Sequence, residues 1–453
     1  MKKFLKKIIP GKVFLIYHYL MAFSAALYYN FPSKKIIVIG ITGTKGKTST
    51  ANFIWSCLTA GGYKTGIITT ANIRIGEKEV LNEYHMTMPG CFKIQKLIAQ
   101  MRKDNCKFCI IETTSEGIKQ SRHIGIDYDI IIFTNLSPEH LQSHNNNFEE
   151  YKKTKAKIFK FSATNKIINK NEIEKIIIAN KDSEYADYFL NNKGPSLTPQ
   201  VVKKITFAMN NDADHVAKNI IENNDSVNFE LNEKKFKINI LGKFNIYNAL
   251  PAIIISKIFN IKDEKIKDGL NNLKIIPGRM EEINLGQDFK VFVDYAHEGV
   301  SMKNLLETAQ NLNRLIGDPP MRRKIKSKII ILVGSEGGGR DKAKRPIIGK
   351  LAAQNADYVI VTNVDPYDDD PKKILEDIAL ACQEFGKIRN KNLFIIEDRR
   401  AGIQKALSLA KANANKNDVV LITGKGAEQS MIIGDKKIPW DDREVVKEEL
   451  KKL

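Results

Sequence analysis

The stretch Gly40-Ile41-Thr42-Gly43-Thr44-Lys45-Gly46-Lys47-Thr48-Ser49-Thr50 follows the apolar run Ile36-Ile37-Val38-Ile39, and few folds accommodate that succession. A β-branched run that ends in glycines and then Lys-Thr describes a buried strand turning into a helix N-terminus. At such a turn bare backbone amides, the positive end of the helix dipole and a lysine ammonium converge, which suits a polyphosphate. The spacing departs from the strict Walker A pattern: its first glycine would fall at Ile41, and Gly40 stands one residue early. Gly43, Thr44, Lys45, Gly46, Lys47, Thr48 and Ser49 are the candidate phosphate-binding residues.

Apolar strands and helical stretches alternate from there. The strands are Ile36 to Ile39, Gly66 to Thr70, Phe108 to Glu112, Ile130 to Thr134 and Lys175 to Ala179. A second set begins near Pro277-Gly278-Arg279, with Val291 to Val293, Ile329 to Val333, Tyr358 to Thr362, Phe394 to Ile396 and Val419 to Thr423. The pattern predicts an α/β chain: a P-loop central domain over residues 36–277 with a mostly parallel sheet, then a Rossmann-like C-terminal α/β domain over 278–453. Asn191 to Pro199 and Asn223 to Lys235 read as surface loops or short antiparallel strands. A length of 453 residues suits two or three domains.

Lys and Arg number 72 against 52 Asp and Glu, a formal charge of +20, but the basic residues are dispersed and mostly Lys. Dispersed lysine makes a solvated surface that attracts small anions, and with no Arg-rich or aromatic-basic module it argues against nucleic acid. Five cysteines without framework spacing suit a reducing cytosol, and Cys106 and Cys109, a lone CxxC, read as buried thiols. Residues 1–35 form a separate extension: MKKFLKKIIPGK is cationic and Val13 to Tyr29 is almost wholly apolar, borderline for a membrane span. A secretory signal or an anchor with its basic end inside would carry the nucleotide loop away from ATP. Two readings stay open: a helix packed on the next domain, or one in the cytoplasmic membrane interface with Lys2, Lys3, Lys6 and Lys7 near anionic lipid.

Further segments are chemically suggestive. Glu112 closes a strand where a Mg²⁺ ligand belongs, and opens Thr113-Thr114-Ser115-Glu116-Gly117-Ile118-Lys119-Gln120-Ser121-Arg122. Thr134-Asn135-Leu136-Ser137-Pro138-Glu139-His140-Leu141-Gln142-Ser143-His144 is followed by Tyr151 to Phe159, with Lys155 and Lys157 inside it. Later come Gly242-Lys243-Phe244-Asn245-Ile246-Tyr247-Asn248-Ala249, Gly278-Arg279-Met280-Glu281, Asp294-Tyr295-Ala296-His297, the loop Gly334 to Pro346, Asp365-Pro366-Tyr367, Gly424-Lys425-Gly426-Ala427-Glu428 and Asp441-Asp442-Arg443-Glu444.

From Ile36 to Glu449 these segments, with Gly-Thr-x-Gly-Lys-Thr at their head, resemble in collinear order the Mur ligases of the MurE type, which activate carboxylates with ATP. The resemblance implies ATP and Mg²⁺ as cofactors, with catalytic work by Lys47, Glu112, His140 and Lys155. It implies metal binding by Thr48, Glu112, His140 and a carbamylated Lys155, with Lys157 a second candidate for the family lysine. It implies ATP contacts by Asn248, Arg279, Asp294 and His297, the last three on a mobile C-terminal domain. Substrate contacts fall to Thr87, Ser115, Gln120, Arg122, Asp365, Tyr367, Gly424 and Glu428. Tyr367 stands where the diaminopimelate-specific members carry an arginine, so a bidentate carboxylate clamp is missing and L-lysine or another amino acid is expected instead. Glu116 replaces a family histidine, and Glu298-Gly299 the usual Thr-Pro.

The implied reaction is addition of a free amino acid to a UDP-muramoyl-peptide-like carboxylate, in the cytoplasm, by a monomer. Members of this type carry about 100 residues before the nucleotide loop to hold the uridine diphosphate; here 35 residues precede Ile36, and the domain is expected to be lacking. The alternatives are a ligase with another acceptor, either MurT-like on a lipid-linked precursor or folylpolyglutamate synthetase-like, and a non-catalytic nucleotide-binding scaffold.

Overall fold

A computed structural model of the chain describes residues 11–82, 84, 86–139, 141–159, 166–168, 171–191, 202–316, 327–413 and 417–453. Packing divides it into two units, one running to Ile220 and including Phe229–Ile238 and Asn245–Leu273, the other comprising Ile221–Asn228, Asn239–Phe244 and Lys274–Leu453.

The first unit is built on strands β1 (Ile37–Thr42), β2 (Thr65–Ile68), β3 (Asn72–Ile75), β4 (Lys78–Leu81), β5 (Phe108–Glu112) and β6 (Ile130–Phe133), then β7 (Lys166–Ile168), β8 (Asn171–Ile173), β9 (Ile176–Asn180), β10 (Lys203–Ala208), β11 (His215–Glu222), β12 (Val227–Leu231) and β13 (Lys234–Ile238). All but the β7–β8 hairpin form one sheet in the order β13-β12-β11-β10-β9-β6-β1-β5-β2-β3-β4. From β10 to β2 the neighbours run parallel, and β3 and β4 are antiparallel additions. β1 is apolar and buried along its whole length because it lies centrally, with both faces covered.

Register sets what gathers at the C-terminal edge. Ile41 pairs with Glu112 of β5, and Thr42 pairs with Phe133 of β6. The nucleotide loop after β1, the Glu112 carboxylate and the segment beginning at Thr134 therefore emerge side by side. The second strand stops at Ile68 rather than Thr70, which frees Thr69 and Thr70 to turn toward that edge. The stretch 223–235 contains strand β12, and 192–199 lies outside the described residues.

The helices of this unit are α1 (Gly11–Tyr28), α2 (Lys47–Ala60), α3 (Cys91–Lys103), α4 (Ser115–Lys119), α5 (Phe148–Ala156), α6 (Ala186–Asn191), α7 (Asn245–Ile258) and α8 (Asp263–Asn272). α1 packs through Ala22, Ala25 and Ala26, and a Cβ placed on Gly125 would meet Ala26 at 2.3 Å. Cys106 and Cys109 are buried free thiols, as their sequence context predicts.

The second unit repeats the principle with a six-stranded sheet, β14 (Glu281–Glu282), β15 (Lys290–Asp294), β16 (Ile329–Val333), β17 (Tyr358–Val361), β18 (Leu393–Ile395) and β19 (Val419–Thr423), in the order β14-β15-β19-β16-β17-β18. Only β14 is antiparallel. Apolar clusters fill both faces, one around Phe292, Ile331, Val359 and Leu421, the other around Val293, Ile330, Ile360 and Ile422. The α/β architecture with two mostly parallel sheets is the one the strand pattern predicts.

Candidate active site

Gly46, at φ 83°, is the last residue before α2, so the loop amides point along the helix axis. Asn248 fixes this bend from α7: a Cβ on Gly46 would lie 2.3 Å from its Oδ1. Thr50 donates to the same oxygen at 3.3 Å, and the Asn248 amide donates to Asn245 Oδ1 at 2.7 Å. Gly46→Ala combines a left-handed backbone with that clash. We expect it to cost about 1–3 kcal/mol of stability, read as a lowered Tm.

The loop is closed on itself. Lys47 Nζ donates to the carbonyls of Gly43 and Thr44 at 3.1 and 2.9 Å. Lys45 Nζ pairs with Glu139 at 2.9 Å, and its backbone N–H donates to Asn135 Oδ1. Thr134 donates to the Lys45 carbonyl at 2.7 Å. Thr44 Oγ1 lies 3.2 Å from the Tyr151 hydroxyl, and Ser49 is buried in the first turn of α2.

Glu112, 3% exposed, is the hub of the site. Thr48 Oγ1 donates to its Oε2 at 2.8 Å, and so do the Thr70 amide and hydroxyl at 2.9 and 3.1 Å. The Thr70 hydroxyl also meets Thr87 Oγ1 at 2.8 Å, which ties Thr87 to the carboxylate through one residue. Lys47 Nζ is 3.9 Å from Glu112 Oε1.

Lys155, on α5 and 2% exposed, donates to the Gly43 carbonyl at 2.8 Å and lies 4.7 Å from the Tyr151 ring centroid. Burial, and then the Lys47 charge, push its ammonium well below the ordinary lysine value. Lys157 starts the short turn after α5 and is exposed. His140 lies outside the described residues.

Ser115 is buried at the start of α4, whose cap is Thr114. Arg122 donates to Gln120 Oε1 at 2.6 Å and to the Met88 carbonyl, joining the two implied substrate residues to the turn that carries Thr87. Glu116 accepts from Ser143 at 2.8 Å. Residues that sequence reasoning passed over are Thr70, Asn135 and Tyr151. The first two sit just past strand ends, and Tyr151 lies one helical turn before Lys155, which was the available signal.

Buried His144 lies close to Lys155, and half-buried His123 close to Lys157. Both ring nitrogens of His144, and Nδ1 of His123, have no hydrogen-bond partner among the described residues. Burial, joined by Lys157 at His123 and by Lys119 and Lys155 at His144, lowers each to about 4. The unfolded chain, with histidine near 6.5, binds more protons between pH 6.5 and 4, so acidification through that window favours unfolding. Stability should be full above pH 6.5 and fall toward pH 4. Denaturant titrations should show a shallower fall in His123→Gln and His144→Gln.

In the second unit, Asp294 accepts from the amides of Met280 and Ala296, both at 2.7 Å, which fixes the Arg279 turn. The Arg279 guanidinium lies 4.4 Å from the Tyr295 ring centroid. His297 Nδ1 is 2.7 Å from the Tyr295 carbonyl, so that nitrogen carries the proton. The Gly424 amide donates to the Asp294 carbonyl at 3.2 Å.

Fully buried Lys425 is held by Asp365 at 3.0 and 2.9 Å and by Glu428 at 2.6 Å. Burial alone would lower its ammonium, but Glu428 and Asp365 raise it above the usual value. Asp365 also accepts from the Ile432 amide, and the Tyr295 hydroxyl donates to Glu428 at 3.2 Å. Tyr367, at φ 52°, hydrogen-bonds Arg340 through its side chain.

The sequence pattern of the Mur ligase middle domain matches residues 41–256, and that of the Mur ligase glutamate ligase domain matches 278–426. A UDP-N-acetylmuramoyl-L-alanyl-D-glutamate--2,6-diaminopimelate ligase of Clostridium acetobutylicum is 35% identical over 439 residues, 96% of this chain and 82% of that enzyme. The chain belongs to the Mur ligase family.

A UDP-N-acetylmuramyl-tripeptide synthetase of Borreliella burgdorferi is 33% identical, over 93% of this chain and 78% of that enzyme. Among solved structures, the Mycobacterium tuberculosis folylpolyglutamate synthase complexed with ADP and AMPPCP shares the fold, with a TM-score of 0.66 at 17% identity over 92% of this chain and 96% of that one. As a Mur ligase of the MurE type the protein is an ATP-dependent amide ligase of peptidoglycan precursor synthesis. Mur ligases generally need Mg²⁺.

Proposed function

We propose that this Mur ligase adds a free amino acid to the terminal carboxylate of a UDP-MurNAc-dipeptide-like acceptor, through an acyl phosphate. The observation that carries the reading is the buried Glu112 carboxylate, 2.8 Å from the Thr48 hydroxyl of the nucleotide loop, beside a desolvated Lys155 on the Gly43 carbonyl.

Thr48 and Glu112 supply hard oxygen donors, the class a small divalent cation takes, so Mg²⁺ fits between loop and carboxylate. A second ion would be held by Glu112, His140 and carbamylated Lys155. Bound there, Mg²⁺ neutralises charge on the phosphate oxygens. Lys47 exchanges the Gly43 and Thr44 carbonyls for phosphate oxygens, and the loop amides fix the phosphates in line. Thr87, Ser115, Gln120 and Arg122 orient the acceptor, whose carboxylate oxygen attacks the γ-phosphorus while the bond to the β-phosphate oxygen breaks and ADP leaves. The amino acid's amine then displaces phosphate through a tetrahedral intermediate.

On the second unit, Arg279, Asp294 and His297 serve the nucleotide, and Asp365, Gly424 and Glu428 the incoming amino acid. Tyr367 offers a neutral hydroxyl where a carboxylate clamp would need a guanidinium, which favours L-lysine or another amino acid over diaminopimelate. The enzyme works as a cytoplasmic monomer.

The test is ADP release by purified protein over UDP-muramoyl peptides crossed with the standard amino acids, diaminopimelate and ornithine. One productive pair without diaminopimelate is the expected result. Diaminopimelate as the preferred amine overturns the role of Tyr367. Turnover with a folate acceptor alone overturns the acceptor, and no turnover with any pair assigns a scaffold.

A further inference from the structure

α1 has two halves with different surroundings. Toward its C-terminus Ala22, Ala25 and Ala26 are buried against the first unit, and Tyr28 meets Phe92 with ring centroids 6.2 Å apart. From Val13 to Met21 no residue is buried on any side of the helix. Val13, Ile16, Leu20, Phe23 and Leu27 are all exposed and follow 3-4-3-4 spacing, so they form one stripe on the side away from the alanines. Tyr17, Tyr19 and Tyr28 are exposed beside or beyond that stripe. The helix contains no acidic residue, and its sequence is preceded by Lys2, Lys3, Lys6 and Lys7 and carries Lys12 in its first turn. Among the described residues no helix is long and apolar enough to cross a membrane.

We infer that α1 docks the enzyme on an anionic phospholipid surface, with the exposed stripe in the acyl boundary and the cationic sequence that leads into the helix supplying the opposite charge. Apolar surface this continuous on a monomer marks an interaction site. Anionic headgroups match the lysine cluster in charge, and tyrosine, apolar in its ring and polar at its tip, suits the membrane–water boundary.

The same 3-4 spacing would also serve a two-helix seam with a second copy. Three features count against that occupant. Two copies in parallel would bring the lysine clusters together, the flanking positions carry no charges to set a register, and the tyrosines outside the seam would stay in water. This inference is independent of the proposed acceptor and amino acid.

The test is flotation of the full chain with phosphatidylcholine vesicles and with vesicles containing about a third phosphatidylglycerol. The anionic vesicles should bind at least tenfold more protein than the neutral ones, and salt should weaken that preference. The pair Ile16→Glu and Leu20→Glu should abolish binding, and replacing the four leading lysines by glutamine should erase the preference. An unchanged Tm in each variant shows that the fold is retained. Equal recovery of wild type and variants with the vesicles overturns the inference. So does a stable dimer that the Ile16→Glu and Leu20→Glu pair splits while vesicle binding is absent, a result that assigns the stripe to a second copy.

Discussion

Lys47→Ala should abolish substrate-dependent ADP release, lowering it at least about 1,000-fold, or about 4 kcal/mol of transition-state stabilisation. The ammonium lies 3.9 Å from Glu112 Oε1, and in the closed loop it donates to the backbone carbonyls of Gly43 and Thr44. Lys47 is only half-buried and Lys155 still donates to the Gly43 carbonyl, so the fold should survive and the Tm should stay near that of wild type. The loss should appear in kcat, because a phosphoryl group in transit concentrates charge on oxygens that a fixed ammonium meets without reorganisation. Lys47→Arg should recover little, since a planar fork does not fill the place of a point charge at the end of a shorter reach. Undiminished turnover by Lys47→Ala would remove the nucleotide loop from the reaction.

Lys155→Ala should be equally inactive but partly restored by a short carboxylate such as acetate. Burial and Lys47 together favour the neutral amine at Lys155, and a neutral amine is the form that attacks CO₂. In the proposed carbamylation the nitrogen would form a bond to the carbon, one proton would leave to solvent, and the side chain would end as a carboxylate-like ligand. Alanine leaves a buried space in which an added carboxylate can take that position. Rescue that saturates with acetate, together with a mass increase of carbon dioxide on the wild-type protein under bicarbonate, is the expected pair of results. Full activity in Lys155→Ala, or inactivity without rescue and without the mass increase, would leave Lys155 as a packing residue whose removal opens a cavity under Tyr151.

Much of this protein could be read along the chain because its information is local there. A β-branched run ending in glycines and Lys-Thr fixes a strand, a turn and a helix start whatever surrounds them, and the alternation of such runs fixes an α/β class with ligands at strand ends. The buried thiols of Cys106 and Cys109 follow from the same logic, as small apolar groups at the entrance to a central strand.

Other properties belong to residues far apart in sequence. Only the register of β1 with β5 and β6 decides that Glu112 and the segment from Thr134 stand beside the nucleotide loop. Only the early end of β2 delivers Thr70 to Glu112, and only the packing of α7 puts Asn248 on Gly46. The sequence shows Lys155 as one more lysine in a lysine-rich helix; its low basicity is set by what surrounds it in space. Likewise, the apolar run from Val13 is visible in the sequence, but three alanines settle which side of α1 is covered and which is left for another surface. Local hydrogen bonding and side-chain periodicity are written residue by residue, whereas desolvation and charge proximity exist only once distant strands have paired.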